Sequence, residues 1–294
     1  MRALLALCFA AAAFAQPVAD TLRARIAGFQ GTVSLYARNL DTGASTGIRE
    51  SDPVRTASTI KLPIMLAVFD AVARGQAKWT EPLTLTAAEK VSGSGVLGTE
   101  FSDGVQLPLR DVLHLMIVLS DNTATNMILE RFTADAVNQY LDKIGIRTTR
   151  SMRKVRGDGN ELKSPSGWSA AGKLPENQEY GLGVSTPRDM VTILEKLERG
   201  EIVSPEASRE IVAILRRCQD STGIRRRVAE PVANKTGSLD ALRSDVGIVY
   251  SKGGRIAMAI TVDDLPKSDY TPDNAGSLLI ADLAKILVDG LARK

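Results

Sequence analysis

The sequence predicts a mixed α/β (α+β) fold: one antiparallel sheet of about five strands, flanked by N- and C-terminal helices, with an all-α lobe inserted. Three observations predict it. The chain opens with a helical pattern followed by an alternating strand pair. Its middle is dominated by helical periodicity, and its last third switches to short strands, tight turns and a closing helix. Sheet elements at both ends of a helical middle imply a single sheet assembled from both chain termini.

The elements follow in order. Between Val18 and Phe29, the residues Leu22, Ile26 and Phe29 share one side of a helix. Thr32 to Leu40 alternates through Val33, Leu35 and Ala37, and Asp41-Thr42-Gly43 is a turn, so a hairpin with the segment near Ile48 is expected. Ser58 opens a helix to Val72 with Leu62, Met65, Leu66 and Phe69 as its apolar face. Pro63 falls in the first turn, where a missing amide hydrogen does no harm. The apolar run from Leu109 to Leu119 is helical and stops at Ser120-Asp121-Asn122; further helices run through Asn126 to Phe132 and from Ala134 to Ile144. Residues 146 to 183 are rich in Gly, Ser, Pro, Asn and charge, without a period. A loop that long is usually functional or disordered. Thr186-Pro187 and Ser204-Pro205 are helix starts. Val232 to Gly237, Asp245 to Tyr250 and Arg255 to Val262 are strands, with the turn Lys252-Gly253-Gly254, and Ala275 to Leu291 closes as a helix. Residues 16–294 are expected to form one domain, with a sheet lobe of about 16–62 and 202–294 and a helical lobe of about 63–201.

The ends and the composition narrow the function. Met1-Arg2, the apolar run Ala3 to Ala15 and the small residues before Gln16 make a secretory signal with cleavage after Ala15. The run is too short to span a bilayer comfortably. The mature chain is therefore expected to be periplasmic or secreted, with no membrane attachment. Lys and Arg number 37 against 34 Asp and Glu, spread through the chain, which argues against nucleic-acid and membrane-surface partners. The expected partner is a small-molecule substrate, and the expected state is a monomer. Cys8 leaves with the signal and Cys218 remains alone, so no disulfide is expected. One cysteine and one histidine supply few metal ligands, and neither a metal nor a cofactor is expected. His114 sits in a helical pattern and reads as a packing residue, so a serine hydrolase built here would use a base other than histidine.

Three short motifs occur in order: Ser58-Thr59-Ile60-Lys61, Ser120-Asp121-Asn122 and Lys235-Thr236-Gly237. Residues three apart on a helix share a face, which puts an ammonium beside a hydroxyl at a helix start. The helix N-terminus offers N–H groups to a developing oxyanion. Lysine serves as a base only when burial or a nearby cation lowers its pKa, and Lys235 would supply that cation if the last strands border the site. Singly each motif is weak: Ser151-Met152-Arg153-Lys154 repeats the first inside the irregular stretch and reads as accidental.

Together with their flanks, Thr56 to Pro63, Leu109 to Asn126, Thr186 to Met190 and Val232 to Ser238, these motifs resemble the penicillin-recognising serine enzymes, closest to class A β-lactamases. The resemblance covers nearly the whole mature chain and implies a sheet lobe and a helical lobe with the site in the cleft between. It implies Ser58 as acylated nucleophile, Lys61 as its proton acceptor, Ser120 as proton relay and Lys235 as electrostatic support. It further implies that Asn122 binds the substrate amide and that Thr236 and Ser238 hold the substrate carboxylate. Gly237 between them is counted with the substrate-binding residues, and the N–H groups of Ser58 and Ser238 form the oxyanion hole. Asp121 is expected to brace its loop.

Two departures from the family pattern matter. Class A enzymes carry a Glu-x-x-Leu-Asn element whose glutamate activates the deacylating water; in Arg150 to Asn160 no glutamate occupies that place, and Val155 or Arg156 falls closest. Asp158, Glu161, Glu176 and Glu179 are the other loop acids. Where the family often places a carboxylate-binding arginine, this chain has Asp245; Arg243 or one of Arg225 to Arg227 would have to replace it, although that run reads as a solvated helix end. Val91 to Leu97 reads as a cleft-edge loop. The leading expectation is a β-lactam hydrolase acting through a Ser58 acyl-enzyme, ahead of a D-alanyl-D-alanine carboxypeptidase or other penicillin-interactive peptidase. A non-catalytic sensor ranks last.

Overall fold

Helix α1 (17–26) leads into strands β1 (Thr32–Asn39), β2 (Ser45–Ile48) and β3 (Val54–Arg55) in the computed structural model, which describes residues 17–157 and 167–292. Then come α2 (Lys61–Ala73), β4 (Pro82–Thr84), β5 (Gln106–Pro108), α3 (Leu109–Val118), α4 (Asn122–Phe132) and α5 (Ala134–Lys143). The chain continues through β6 (Arg150–Ser151), β7 (Gly183–Ser185), α6 (Pro187–Glu198) and α7 (Pro205–Leu215). It ends with β8 (Val232–Leu239), β9 (Leu242–Ser251), β10 (Gly254–Asp263) and α8 (Ala275–Leu291). The expected signal at 1–15, with Cys8, and the loop acids Asp158 and Glu161 lie outside the described residues.

Contacts divide the chain into two units. The first runs to Val54 and takes in Thr186–Glu195 and everything from Asp220 onward; the second comprises Arg55–Ser185 and Lys196–Gln219. Thus α7, counted with the sheet lobe on sequence, falls in the second unit.

The first unit holds the expected five-stranded sheet, in the order β2-β1-β10-β9-β8, with every neighbouring pair antiparallel. Both chain ends contribute because β1 pairs with β10 from Thr32↔Asp263 to Asn39↔Ile256. The apolar positions read from the sequence converge: Leu22 of α1, Leu35 of β1, Met258 and Ile260 of β10 and Leu279, Leu283 and Leu287 of α8 form one core. Each such side chain contributes roughly 1.5–3 kcal/mol on burial.

In the second unit α2 is buried from Lys61 to Ala71, so the single apolar face expected from Leu62, Met65, Leu66 and Phe69 is too narrow: Ile64 and Val68 are buried as well. A helix apolar all round is a central helix. Asp70, buried near its end, is held by Arg74 at 2.7 Å and Lys143 at 2.8 Å. Asp121, Thr133 and Ser204 cap α4, α5 and α7 by accepting amide N–H bonds, which satisfies donors that helix starts leave open. The unit also carries two short strand pairs, β4 with β5 and β6 with β7. The stretch 146–183, aperiodic in sequence, contains β6, a bridge from Arg153 to Trp168, 3-10 turns at Ala171–Lys173 and Pro175–Tyr180, and β7. Long-range pairing builds it, which periodicity does not report.

Candidate active site

The segment carrying Ser58 is fixed from behind. Thr56 donates its N–H and its hydroxyl to the carbonyl of Gly183, at 3.0 and 2.9 Å. Ala57 follows with φ of +46°, a left-handed conformation that strains a residue bearing a Cβ. Ser58 then lies half-buried in a 3-10 turn, Ala57–Ile60, and the α-helix proper begins only at Lys61. The helix expected to open at Ser58 thus starts as a 3-10 turn and becomes an α-helix at Lys61. Lys61 remains three residues beyond the serine, its N–H closing on the carbonyls of Ser58 and Thr59.

The Lys61 side chain is wholly buried. Its ammonium donates to the carbonyl of Ser120 at 2.7 Å, to Asn122 Oδ1 at 2.9 Å and to Ser120 Oγ at 3.3 Å. These three acceptors are neutral oxygens. Ser120 presents both its carbonyl and its hydroxyl because its backbone is left-handed, with φ of +57°. Each of the first two motifs thus contains, or directly follows, a residue in the left-handed region.

Asp121 braces this arrangement as expected. Its Oδ1 caps α4 through the Ala124 N–H at 2.8 Å, while Oδ2 accepts the N–H groups of Val96 and Leu97 at 2.7 and 2.9 Å. The Val91 to Leu97 loop is therefore a clamp for the second motif, a role sequence reasoning missed. Asn122 donates its N–H to Ser94 at 2.9 Å and its side-chain amide to Ser92 at 3.1 Å. Gly95, at φ of +112°, passes so close that a Cβ would lie 2.2 Å from the Asp121 carboxyl carbon. The glycines of that loop were the available signal.

The accidental reading of Ser151 to Lys154 agrees with the structure. Lys154 is buried and pairs with Glu130, and Ser151 is tied through its backbone to Asn138. His114 lies half-buried on α3; burial, then the charges of Arg110 and Arg217, hold its pKa below the ordinary value. Of the two loop positions nearest the family's glutamate, Val155 and Arg156, the first is held from both sides. Val155 is buried, and its N–H and carbonyl are both taken by the side chain of Asn126, at 2.8 and 3.1 Å. Glu176 and Glu179 sit exposed on the 3-10 turn Pro175–Tyr180.

The first unit carries the third motif on β8. Lys235 is wholly buried, its ammonium donating to the Thr236 carbonyl at 2.9 Å, and Gly237 is buried while Ser238 is exposed. Thr236 stands opposite Asp245 on β9, and Ser238 opposite Arg243. Thr236, Gly237 and Ser238 line a cavity of about 10 Å³ with Asp220 and Arg243. That volume suits one water molecule.

Two carboxyls border this strand, and their environments push them apart. Asp220 accepts the N–H and hydroxyl of Thr222 at 2.9 and 2.7 Å. Burial alone would raise its pKa, but these bonds, one from Thr236 and the charge of Lys235 outweigh it and hold the carboxyl below its ordinary value. Asp245 accepts Asn234 Nδ2 at 2.9 Å and the Ile224 N–H at 2.8 Å. Here full burial dominates and the carboxyl is pushed up to about 6. Gly223 is required beside it, since a Cβ would lie 2.4 Å from the carboxylate oxygen. Asp220 was not singled out on sequence; the run Asp220-Ser221-Thr222, a side-chain-to-backbone turn, was its only signal.

The arginine run is a solvated helix end at Arg226 and Arg227, exposed where the 3-10 turn Ile224–Arg226 stops, but not at Arg225. Arg225 donates to Asn234 Oδ1 at 2.6 Å and to the Val232 carbonyl at 2.8 Å, while Arg226 and Arg227 pair with Asp273 and Asp282. The backbone of β8 and acids around α8 recruit all three. Arg243 gives its guanidinium to the carbonyls of Leu239, Leu242 and Asp269 and lies 4.8 Å from the Tyr270 ring centre. Among these four arginines, it is the one that lines the cavity beside Thr236 and Ser238.

Known proteins resemble this chain over most of its length. A family model described as the β-lactamase enzyme family matches residues 17–291. A β-lactamase from Sphaerobacter thermophilus DSM 20745 is 31% identical, with a TM-score of 0.78, over 93% of this chain and 96% of that one. A leucine-to-glutamate variant of PBP-A, solved as an acyl-enzyme complex with penicillin G, is 28% identical with a TM-score of 0.78, over 93% and 96%. The β-lactamase regulatory protein BlaB of Streptomyces cacaoi is 27% identical over 292 residues, 88% of this chain and 93% of that protein.

Proposed function

Because this chain belongs to the β-lactamase enzyme family, a family of serine hydrolases, we propose that it opens the amide of a β-lactam ring through an acyl-enzyme on Ser58. One observation carries the reading: a wholly buried ammonium, three residues beyond Ser58, is hydrogen-bonded to Ser120 and Asn122. In this reading Ser58 Oγ bonds to the ring carbonyl carbon and the ring C–N bond breaks. With Lys61 in its neutral amine form, the serine proton passes to its Nζ and on by way of Ser120 to the departing nitrogen, which leaves Lys61 and Ser120 as they began. The Lys61–Ser120 hydroxyl contact at 3.3 Å supports that relay. In the same reading Lys235 supplies the electrostatics, Asn122 binds the substrate amide and Thr236 and Ser238 hold the substrate carboxylate. Water would then cleave the ester and restore the serine. The reading is of an exported monomer acting on a small molecule.

A second reading has its own observation. Rapid cleavage of the ester needs a positioned base, and the loop positions nearest the family's glutamate hold the buried Val155 and the arginine that follows it, Arg156. A D-alanyl peptidase that β-lactams acylate and stall would look like this. A PBP-A variant with glutamate in place of a leucine was solved as an acyl-enzyme complex with penicillin G.

Intact-mass spectrometry during incubation with penicillin G and a chromogenic cephalosporin separates the two. An adduct that disappears as substrate is hydrolysed supports the β-lactamase, with a base beyond Val155. A lasting adduct without turnover supports the peptidase, and Val155→Glu should then speed its loss. Absence of any adduct would sink both.

A further inference from the structure

The long loop of the second unit holds a cluster of cations that the acylation chemistry does not use. Arg153 and Arg156 both stack on Trp168, their guanidinium carbons 5.4 and 4.9 Å from ring centres of the one indole. They line a cavity of about 440 Å³ with Gly172, Lys173 and Gln178. That volume lies within the range of small-molecule sites.

The site is built on a fixed frame. Ser169 donates its N–H to Met152 at 2.8 Å and Lys154 donates its N–H to Gly167 at 2.9 Å, which zips the two sides of the loop together. Asn126 pins Val155, and the buried ammonium of Lys154 is neutralised by Glu130. At Gly172 a Cβ would lie 2.3 Å from the Met152 carbonyl oxygen and 3.0 Å from the Trp168 ring, so the floor tolerates only glycine.

Among the described residues the cations on this frame other than Lys154 lack a carboxylate partner. Arg153 gives Nη1 to the Lys154 carbonyl at 2.9 Å, while the buried Nε of Arg156 has no acceptor among the described residues. No carboxylate among the described residues pairs with Arg153, Arg156 or Lys173. Burial, then the neighbouring Arg156, lowers the pKa of Arg153 to about 10, the mark of like charges crowded in a partly desolvated place. Guanidinium forks match carboxylate and phosphate oxygens in a bidentate way, and an aromatic face holds them preorganised.

We infer that the Arg153–Arg156–Lys173 cavity beside Trp168 is a binding site for a small ligand carrying two or more oxyanion charges. The ligand is a phosphate or a polycarboxylate, and its binding does not depend on Ser58.

Titration of the full chain at constant ionic strength tests this, with calorimetry as the readout and pyrophosphate, citrate and sodium chloride as probes. Saturable binding of pyrophosphate or citrate is expected, with none for chloride, and the tighter probe tells phosphate from carboxylate. Ser58→Ala should bind equally well, which keeps this site apart from the acylation reading. Arg153→Gln with Arg156→Gln should weaken binding about tenfold or more, the loss expected when charge-assisted bonds are removed. Should that double variant fail to fold, the exposed Lys173→Gln should still weaken binding about threefold. Heats no larger than those of chloride, or unchanged affinity in the folded arginine or lysine variants, would overturn the inference.

Discussion

The two units hold their motif residues by different means. In the helical unit the ammonium of Lys61 rests on two carbonyl oxygens and a hydroxyl, contributed by Ser120 and Asn122. In the sheet unit the strand of Lys235, Thr236 and Ser238 is bordered by two carboxyls, Asp220 and Asp245, whose environments shift them in opposite directions. The first arrangement is built from neutral acceptors of the neighbouring motif. The second is poised to respond to pH, because Asp220 ionises early and Asp245 late. Variants that exchange these characters break or sharpen the contrast.

The largest effect is expected in the helical unit. Lys61→Met keeps the volume but removes the ammonium from Ser120 and Asn122, and should slow acylation by a β-lactam about 10³-fold or more. Stopped-flow kinetics checks this; a loss below tenfold would mean that the buried lysine is structural.

Next comes Asp245. A carboxyl raised from 3.8 to about 6 contributes stability that is complete below its ordinary pKa and lost as pH climbs toward 6. Two units correspond to about 3 kcal/mol. Asp245→Asn removes that loss, so the Tm of the variant relative to the parent should rise by about 5 °C between pH 4 and pH 7. Parallel Tm-versus-pH curves would place the titration elsewhere. Asp220 has the opposite sign: its lowered pKa adds stability above the ordinary carboxylate value, and that stability disappears as pH falls below it.

Gly95→Ala should cost about 2 kcal/mol, through a left-handed backbone and a Cβ driven into Asp121, and should slow acylation by loosening the Ser120 turn. Urea unfolding checks the first part. The smallest effect is expected from Asp220→Asn, which removes a negative charge beside Thr236. If Thr236 receives a substrate carboxylate, KM for penicillin G should fall about threefold, whereas an unchanged KM would separate Asp220 from the substrate.

The same contrast explains what could be read in the sequence. Residues three apart on one turn, such as Ser58 and Lys61, advertise their chemistry because local geometry fixes their relation. The five-stranded sheet was legible because alternation in Thr32 to Leu40 and the last three strands is local too. The strain at Ala57 and Ser120 left no trace, since neither residue type announces a left-handed backbone. Asp220 and Asp245 were invisible as a pair because the pairing of β8 with β9 brings Asp245 to Asn234, while Asp220 reaches Thr236 from the segment after α7. The stacking of Arg153 and Arg156 on Trp168 likewise depends on a bridge across an aperiodic loop.

The central claim is that Ser58 is the acylated atom's owner. Peptide mapping after brief exposure of the parent and Ser58→Ala to penicillin G tests it most directly. The account predicts a penicilloyl mass on the peptide containing Ser58 in the parent and none in the variant. A label elsewhere, or one that survives Ser58→Ala in a folded protein, would contradict it.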